Sequence, residues 1–175
     1  MGGLVLPWTA MAGPLGHDAA RFASGSGDIL FLTIGTALPL LTDGDQGEDH
    51  ALRTLDALMI STLLSEGLKA LIPEERPDGS DDRSFPSGHA TAAFAVATAE
   101  SVWHPKQAPF WYLGALIIAD SRLELNKHRA VDVLAGAALG YFTAQLELSQ
   151  PHGILLSPFI DSNGGCVGVQ MTAVF

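Results

Sequence analysis

Ser84-Phe85-Pro86-Ser87-Gly88-His89-Ala90-Thr91-Ala92-Ala93-Phe94-Ala95-Val96-Ala97-Thr98-Ala99 is the longest run free of Asp, Glu, Lys and Arg outside residues 1–17. A bilayer-spanning helix wants about 20 mostly apolar residues. This run is shorter than that and holds a histidine. Residues 29–42, 107–119 and 133–146 make shorter charge-free runs, and 1–17 is spoiled as a helix by its glycines and prolines. Segment 57–72 is interrupted by Glu66 and Lys69, and 131–148 carries Asp132 and Glu147. The lengths therefore predict buried helices of a compact soluble bundle, with at most peripheral membrane contact.

Working outward, Ser87 is a good N-cap for a helix over 88–103, which His104-Pro105 ends. Further helices are predicted over 27–41 (kinked at Pro39), 49–71 (stopped near Pro73), 109–123 and 127–148, the last capped by Asn126. Residues 1–24, rich in Gly and Pro, read as an irregular arm, 25–150 as the bundle and 151–175 as a tail, all in one domain. Within the tail Val167, Val169, Met171, Ala173 and Phe175 alternate with Gly168, Gln170 and Thr172 after the turn cluster 161–165, which predicts a short C-terminal β-hairpin. A lone hairpin is marginal in water, so it should pack on the bundle or pair in a homo-oligomer. The fold class is all-α with that hairpin appended.

Composition excludes several function classes. The formal net charge is −10 and the pI about 4.8, which argues against nucleic acid as a partner and against electrostatic docking on anionic lipid. Hydrophobic residues make up 47% of the chain and mean hydropathy is +0.26, high for a soluble protein. The single cysteine, Cys166, can form neither an intramolecular disulfide nor a thiolate cluster. The start, MGGLVLPWTAMAG, has no basic n-region and does not read as a signal peptide; either there is none or it has been removed. Asp43, Asp45, Glu48 and Asp49 fail the spacing of a calcium loop and read as a solvated turn.

Three strings carry chemistry. Lys69 precedes Arg76-Pro77; Pro86-Ser87-Gly88-His89 opens a helix; Ser121-Arg122 precedes His128, with Asp132 four residues on. Lys69, Arg76 and Arg122 supply a point charge and two planar forks for oxyanion oxygens. Ser87 and Gly88 stand where free N–H groups and the helix dipole attract anions, and Gly88 lets the backbone come close. His128 and Asp132 are four apart on the helix predicted over 127–148 and so share one face, where the carboxylate can set the imidazole's tautomer and leave the other ring nitrogen nucleophilic. His89, beside the anion, can protonate a leaving oxygen. For each element alone, a surface charge, a turn or a helix-surface ion pair would serve as well. The joint pattern calls for a phosphate pocket.

The chain resembles the type-2 phosphatidic acid phosphatase and vanadium-dependent haloperoxidase superfamily in all three strings and in Asp132-Val133-Leu134-Ala135-Gly136, over about residues 69–140. The resemblance implies a helical bundle and metal-free hydrolysis of a phosphomonoester or pyrophosphate through a phosphohistidine. His128 would be the nucleophile, Asp132 its orienting partner and His89 the general acid. Lys69, Arg76, Ser87, Gly88 and Arg122 would hold the phosphoryl group. It implies no cofactor or metal, a lipid or small-molecule phosphate ester as substrate, and a periplasmic or other extracytoplasmic site. Asn126 and Arg129 stand where family members often carry Gly and an aromatic residue. With no clear spans, the pattern points to a soluble branch like the periplasmic acid phosphatases. The same pocket can hold vanadate, as an inhibitor or as a haloperoxidase cofactor on His128, and a silent phosphate-binding protein is the third reading.

Overall fold

The computed structural model describes residues 14–150, 153–160 and 167–171. Among the described residues seven α-helices follow in order: α1 Pro14–Ala23, α2 Ser26–Ala37, α3 Pro39–Thr42, α4 Gly47–Leu71, α5 Gly88–Trp103, α6 Ala108–Glu124 and α7 Ala130–Ser149. Strands β1 Leu156–Ile160 and β2 Val167–Met171 pair antiparallel, with Leu156 opposite Met171. The turn cluster 161–165 and residues 172–175 lie outside the described residues.

Helix α5 is the axis of the bundle and packs on α7, α6 and α4. Its buried positions are almost all small: Ala90, Thr91, Ala92, Ala93, Ala95, Val96, Ala97, Thr98 and Ala99. Small side chains let neighbouring backbones approach, and α7 answers with glycines one turn apart. A Cβ on Gly136 would stand 2.4 Å from the Ser87 carbonyl oxygen, and one on Gly140 would stand 2.1 Å from that of Thr91. Both distances are far inside van der Waals contact, so the crossing exists only because these residues lack side chains. Larger groups fill the other side, where Trp111, Ala115 and Ile118 of α6 meet Ala93 and Ala97, with Phe31 edge-on to Trp111 at 5.4 Å.

Several expectations need correction. Residues 14–23 form a helix rather than an irregular arm, and α1 packs on α6. Helix α7 begins at Ala130, not at 127. Asn126 has φ 52°, a left-handed turn rather than a cap, and the Lys127 and His128 amides both bond back to the Arg122 carbonyl at 3.0 and 3.3 Å. His128 therefore lies in the turn between α6 and α7. Asp43 is not solvated. Its carboxylate accepts from His50 Nδ1 at 2.6 Å and His104 Nε2 at 2.9 Å, and His50 stacks on Trp103.

The partition of surface and interior is also unlike that of an ordinary soluble bundle. The largest fully buried side chains include Glu100 and Glu147, while Leu63, Phe110, Leu134 and Phe142 are more than half exposed. Glu147 is held by Arg53 Nε at 3.0 Å and by the Ile154 amide at 3.0 Å, which ties the chain after α7 back to α4. No helix among the described residues is long and apolar enough to cross a membrane.

Candidate active site

Five elements bring the three strings to one cleft of about 450 Å³. Lys69 comes from the last turn of α4, where a cation also complements the helix dipole. Arg76 comes from the loop after it. That loop is closed on itself by Glu74 N to Asp82 O and Ser84 N to Glu74 O, both 2.9 Å. Gly88 and His89 open α5, Arg122 ends α6, and His128 lies in the turn that follows. All six residues line the cleft, with Leu32 and Leu58 on its apolar side.

Each cation is held in place. Lys69 is 9% exposed, and its Nζ lies 2.7 Å from Glu66 Oε1. Glu66 is tied in turn to Arg83. A Cβ on Gly88 would fall 2.8 Å from Lys69 Nζ, so Gly88 is what makes room for the ammonium. Arg76 Nε donates to Asp81 Oδ1 at 2.6 Å. Asp81 thus anchors the guanidinium of Arg76. Arg122 donates from Nη1 to Ser24 Oγ. Its Nε, like Ser87 Oγ, is buried with no hydrogen-bond partner among the described residues. Ser87 occupies the N-cap position of α5, but its hydroxyl makes no capping bond. Both groups are therefore available to an oxyanion.

His128 is 4% exposed, and its Nδ1 lies 2.7 Å from the Ser84 carbonyl oxygen. A carbonyl can only accept, so Nδ1 carries the hydrogen and Nε2 keeps its lone pair. Nε2 faces the cleft 3.3 Å from Arg76 Nη1. Burial first, and then the Arg76 charge, lower the His128 pKa to about 4, so the ring is neutral at pH 7. His89 is lowered to about 4 as well, by burial and then by Arg122.

Asp132 does not bond to His128 directly. Its Oδ2 is 3.8 Å from Nδ1 and instead accepts from Ser84 Oγ at 2.6 Å and from the Arg129 amide at 2.7 Å. The Asp132 carbonyl also receives the Ser87 amide at 2.9 Å. Asp132, fully buried in the first turn of α7, thus pins both the loop that orients His128 and the start of α5. The intervening residue, Ser84, escaped the sequence reading. Its only signal was its place two residues before Pro86. Arg129 points away from the cleft, to Glu74. Ser24 and Asp28, from the α1–α2 elbow, were missed as well, and both reach the site.

Residues 50–154 match the family model described as the PAP2 superfamily. The chain belongs to that superfamily. Within it, the chain is 39% identical over 75 residues to a lipid A 1-phosphatase of Porphyromonas gingivalis, covering 41% of this chain and 17% of that protein. It is 33% identical over 95 residues to a putative undecaprenyl-diphosphatase of Escherichia coli, covering 48% of each. It is 25% identical over 125 residues to a bacitracin transport permease protein of Bacillus licheniformis, covering 65% of this chain and 62% of that one. The chain thus spans less than two thirds of each of these relatives. Its fold is that of the solved LpxE of Aquifex aeolicus, with a TM-score of 0.63, 23% identity, and coverage of 81% of this chain and 90% of that one. It also matches a transmembrane PAP2-type phosphatidylglycerolphosphate phosphatase of Bacillus subtilis, with a TM-score of 0.58, 23% identity, and coverage of 79% and 77%. The all-α architecture of the PAP2 phosphatases is therefore this chain's own.

Proposed function

We propose that the chain is a phosphatase that hydrolyses a lipid-borne phosphomonoester or pyrophosphate, without a metal, through a phosphohistidine on His128. The carrying observation is the His128 ring. It is buried, with Nδ1 committed to the Ser84 carbonyl and Nε2 open to a cleft that Lys69, Arg76 and Arg122 also line.

In the first half, His128 Nε2 attacks phosphorus. The P–O bond breaks with its electron pair on the leaving oxygen, and His89 gives that oxygen a proton. In the second half, water attacks the phosphohistidine, its proton goes to His89, and the P–N bond breaks with its pair on Nε2. The three cations, Ser87 Oγ and the first N–H groups of α5 hold the equatorial oxygens. Being fixed before the reaction, they stabilise the charge that develops in the transition state. Free His89 is neutral at pH 7; the negative charge of a bound phosphoryl group offsets the cations that suppress its protonation.

Two observations support a lipid substrate. Large apolar side chains are exposed on α2, α4, α6 and α7. Two relatives carry names that specify a lipid phosphate, a lipid A 1-phosphatase and a putative undecaprenyl-diphosphatase. We place the cleft on the extracytoplasmic side.

The test is inorganic phosphate release, in EDTA, from phosphatidate, a polyprenyl pyrophosphate and soluble aryl phosphates, with wild type and His128→Ala side by side. EDTA-resistant turnover, best on a lipid, that vanishes in the variant is the expected result. Turnover unaffected by the substitution overturns the phosphohistidine route. Phosphate binding without turnover overturns the enzyme reading.

A further inference from the structure

Asp28 stands in the first turn of α2, far in sequence from the three strings, yet it lines the same cleft. It is 8% exposed. Its Oδ2 is 3.8 Å from His89 Nε2, and its Oδ1 is buried with no hydrogen-bond partner among the described residues. A buried carboxyl oxygen without a hydrogen bond costs stability, so its place in a reacting cleft asks for a use. Other charged groups facing the same space are Lys69 and Glu66 from α4, Arg76 from the following loop, Arg122 from α6 and His128 beyond it. Glu66 is already bound by Lys69 and Arg83, and Arg76 by Asp81. Asp28 is the carboxylate beside the imidazole.

We infer that Asp28 is a positioning residue for the leaving-group end of the cleft, holding His89 in the protonated form that gives its proton to the departing oxygen. This rests on the reading of His89 as the general acid. Burial pushes the Asp28 carboxyl up to about 6, against the pull of Arg122, so at pH 7 it is mostly the carboxylate and its charge favours a proton on the imidazole beside it. When a phosphoryl dianion enters, it offsets the charges of Arg122, Lys69 and Arg76, which had disfavoured the imidazolium. His89 then takes up a proton from solvent, and the Asp28 carboxylate stabilises the new imidazolium across 3.8 Å. As the P–O bond breaks with its electron pair on oxygen, Nε2 gives up the proton, His89 becomes neutral and Asp28 stays ionised. The water that resolves the phosphohistidine returns a proton to Nε2. The helix dipole at the start of α2 favours the same ionised carboxylate.

The α1–α2 elbow is built to hold this arrangement. Arg122 reaches Ser24 Oγ, and the Ser24 backbone hydrogen-bonds His89 in the direction that raises its pKa. The elbow thus bridges the phosphate-holding arginine and the proton donor, with Asp28 four residues further on.

The experiment is leaving-group dependence. Steady-state kcat/KM is measured with dinitrophenyl phosphate, whose leaving group departs without a proton, and with an alkyl phosphate, whose leaving group needs one. Wild type, Asp28→Asn, Asp28→Glu and His89→Ala are compared, with circular dichroism and inorganic phosphate binding as checks on folding and the anion site. General acid catalysis is worth about 10²–10⁴-fold. Asp28→Asn should therefore lose about 100-fold on the alkyl ester and less than about 3-fold on the dinitrophenyl ester, and Asp28→Glu should recover most of the loss. Equal losses on both substrates, or none on either, overturn the inference even where His89→Ala shows the full dependence. If His89→Ala itself is insensitive to the leaving group, the reading of His89 fails, and this inference falls with it.

Discussion

The crossing of α5 and α7 makes a sharp prediction at Gly140. An added Cβ would meet the Thr91 carbonyl oxygen at 2.1 Å and the Ala95 nitrogen at 2.9 Å, both backbone atoms of α5 that no rotamer change can move. Ordinary contact begins near 3.4 Å, so the two helices must part by roughly 1.3 Å at that level. Parting them loosens the alanine interface along α5 and strains the Ser87 N to Asp132 O bond that joins the two helix starts. Overpacking of this kind costs about 1–3 kcal/mol or more. Helix propensity works the other way, since Ala is preferred to Gly by about 1 kcal/mol in a helix interior. Gly67 in α4 isolates that term, because nothing lies within 4 Å of its added Cβ. Urea unfolding followed by circular dichroism should therefore show Gly140→Ala destabilised by about 2 kcal/mol, and Gly67→Ala stabilised by up to about 1 kcal/mol. A Gly140→Ala midpoint equal to or above wild type, with an unchanged slope, would refute the argument that backbone contact sets this crossing.

Two further outcomes follow from the site. Ser84→Ala removes the hydroxyl that bonds Asp132 Oδ2 while keeping the carbonyl that orients His128. A lost hydrogen bond to a charged group is worth about 1.5–3 kcal/mol, so kcat should fall by about 10- to 100-fold with KM little changed; an unaltered kcat in a steady-state assay would remove Ser84 from the orienting chain. His89 and His128 have folded pKa values of about 4 against an ordinary 6.5. The unfolded chain therefore takes up protons on these two rings between those values that the folded chain does not, and their contribution to stability should be lost as pH is lowered from about 6.5 through about 4, against the opposite contribution of Asp28, whose folded pKa is raised to about 6. Thermal melts of wild type and of a His89→Gln, His128→Gln double variant should converge above that window and diverge within it.

Residue types and local order carried the broad reading. The helix over 88–103, the break at Pro39, the three cations Lys69, Arg76 and Arg122, and the two histidines are all consequences of short-range spacing and side-chain chemistry. What lies between elements was not legible. The spacing of His128 and Asp132 suggested a direct carboxylate–imidazole pair. Whether a helix includes His128, however, depends on where α6 stops, and Asn126 turns the chain left-handed just before it. Ser84 takes the place next to the imidazole because a loop far away in sequence is folded across the start of α7. The exposed apolar side chains of α4, α6 and α7 likewise follow from packing. The central helix is lined with alanines, and glycines on α7 bring its backbone against α5, so the interior closes around small groups and leaves the large ones outside. Asp28 shows the same division most plainly. Nothing near it in the sequence marks it as part of a phosphate site; only the docking of the α1–α2 elbow on α5 and α6 puts its carboxyl within 4 Å of His89. A chain's local chemistry decides which groups are able to bind and transfer a phosphoryl group. Contacts between elements distant in sequence, which depend on the closing of the whole bundle, decide which of those groups meet.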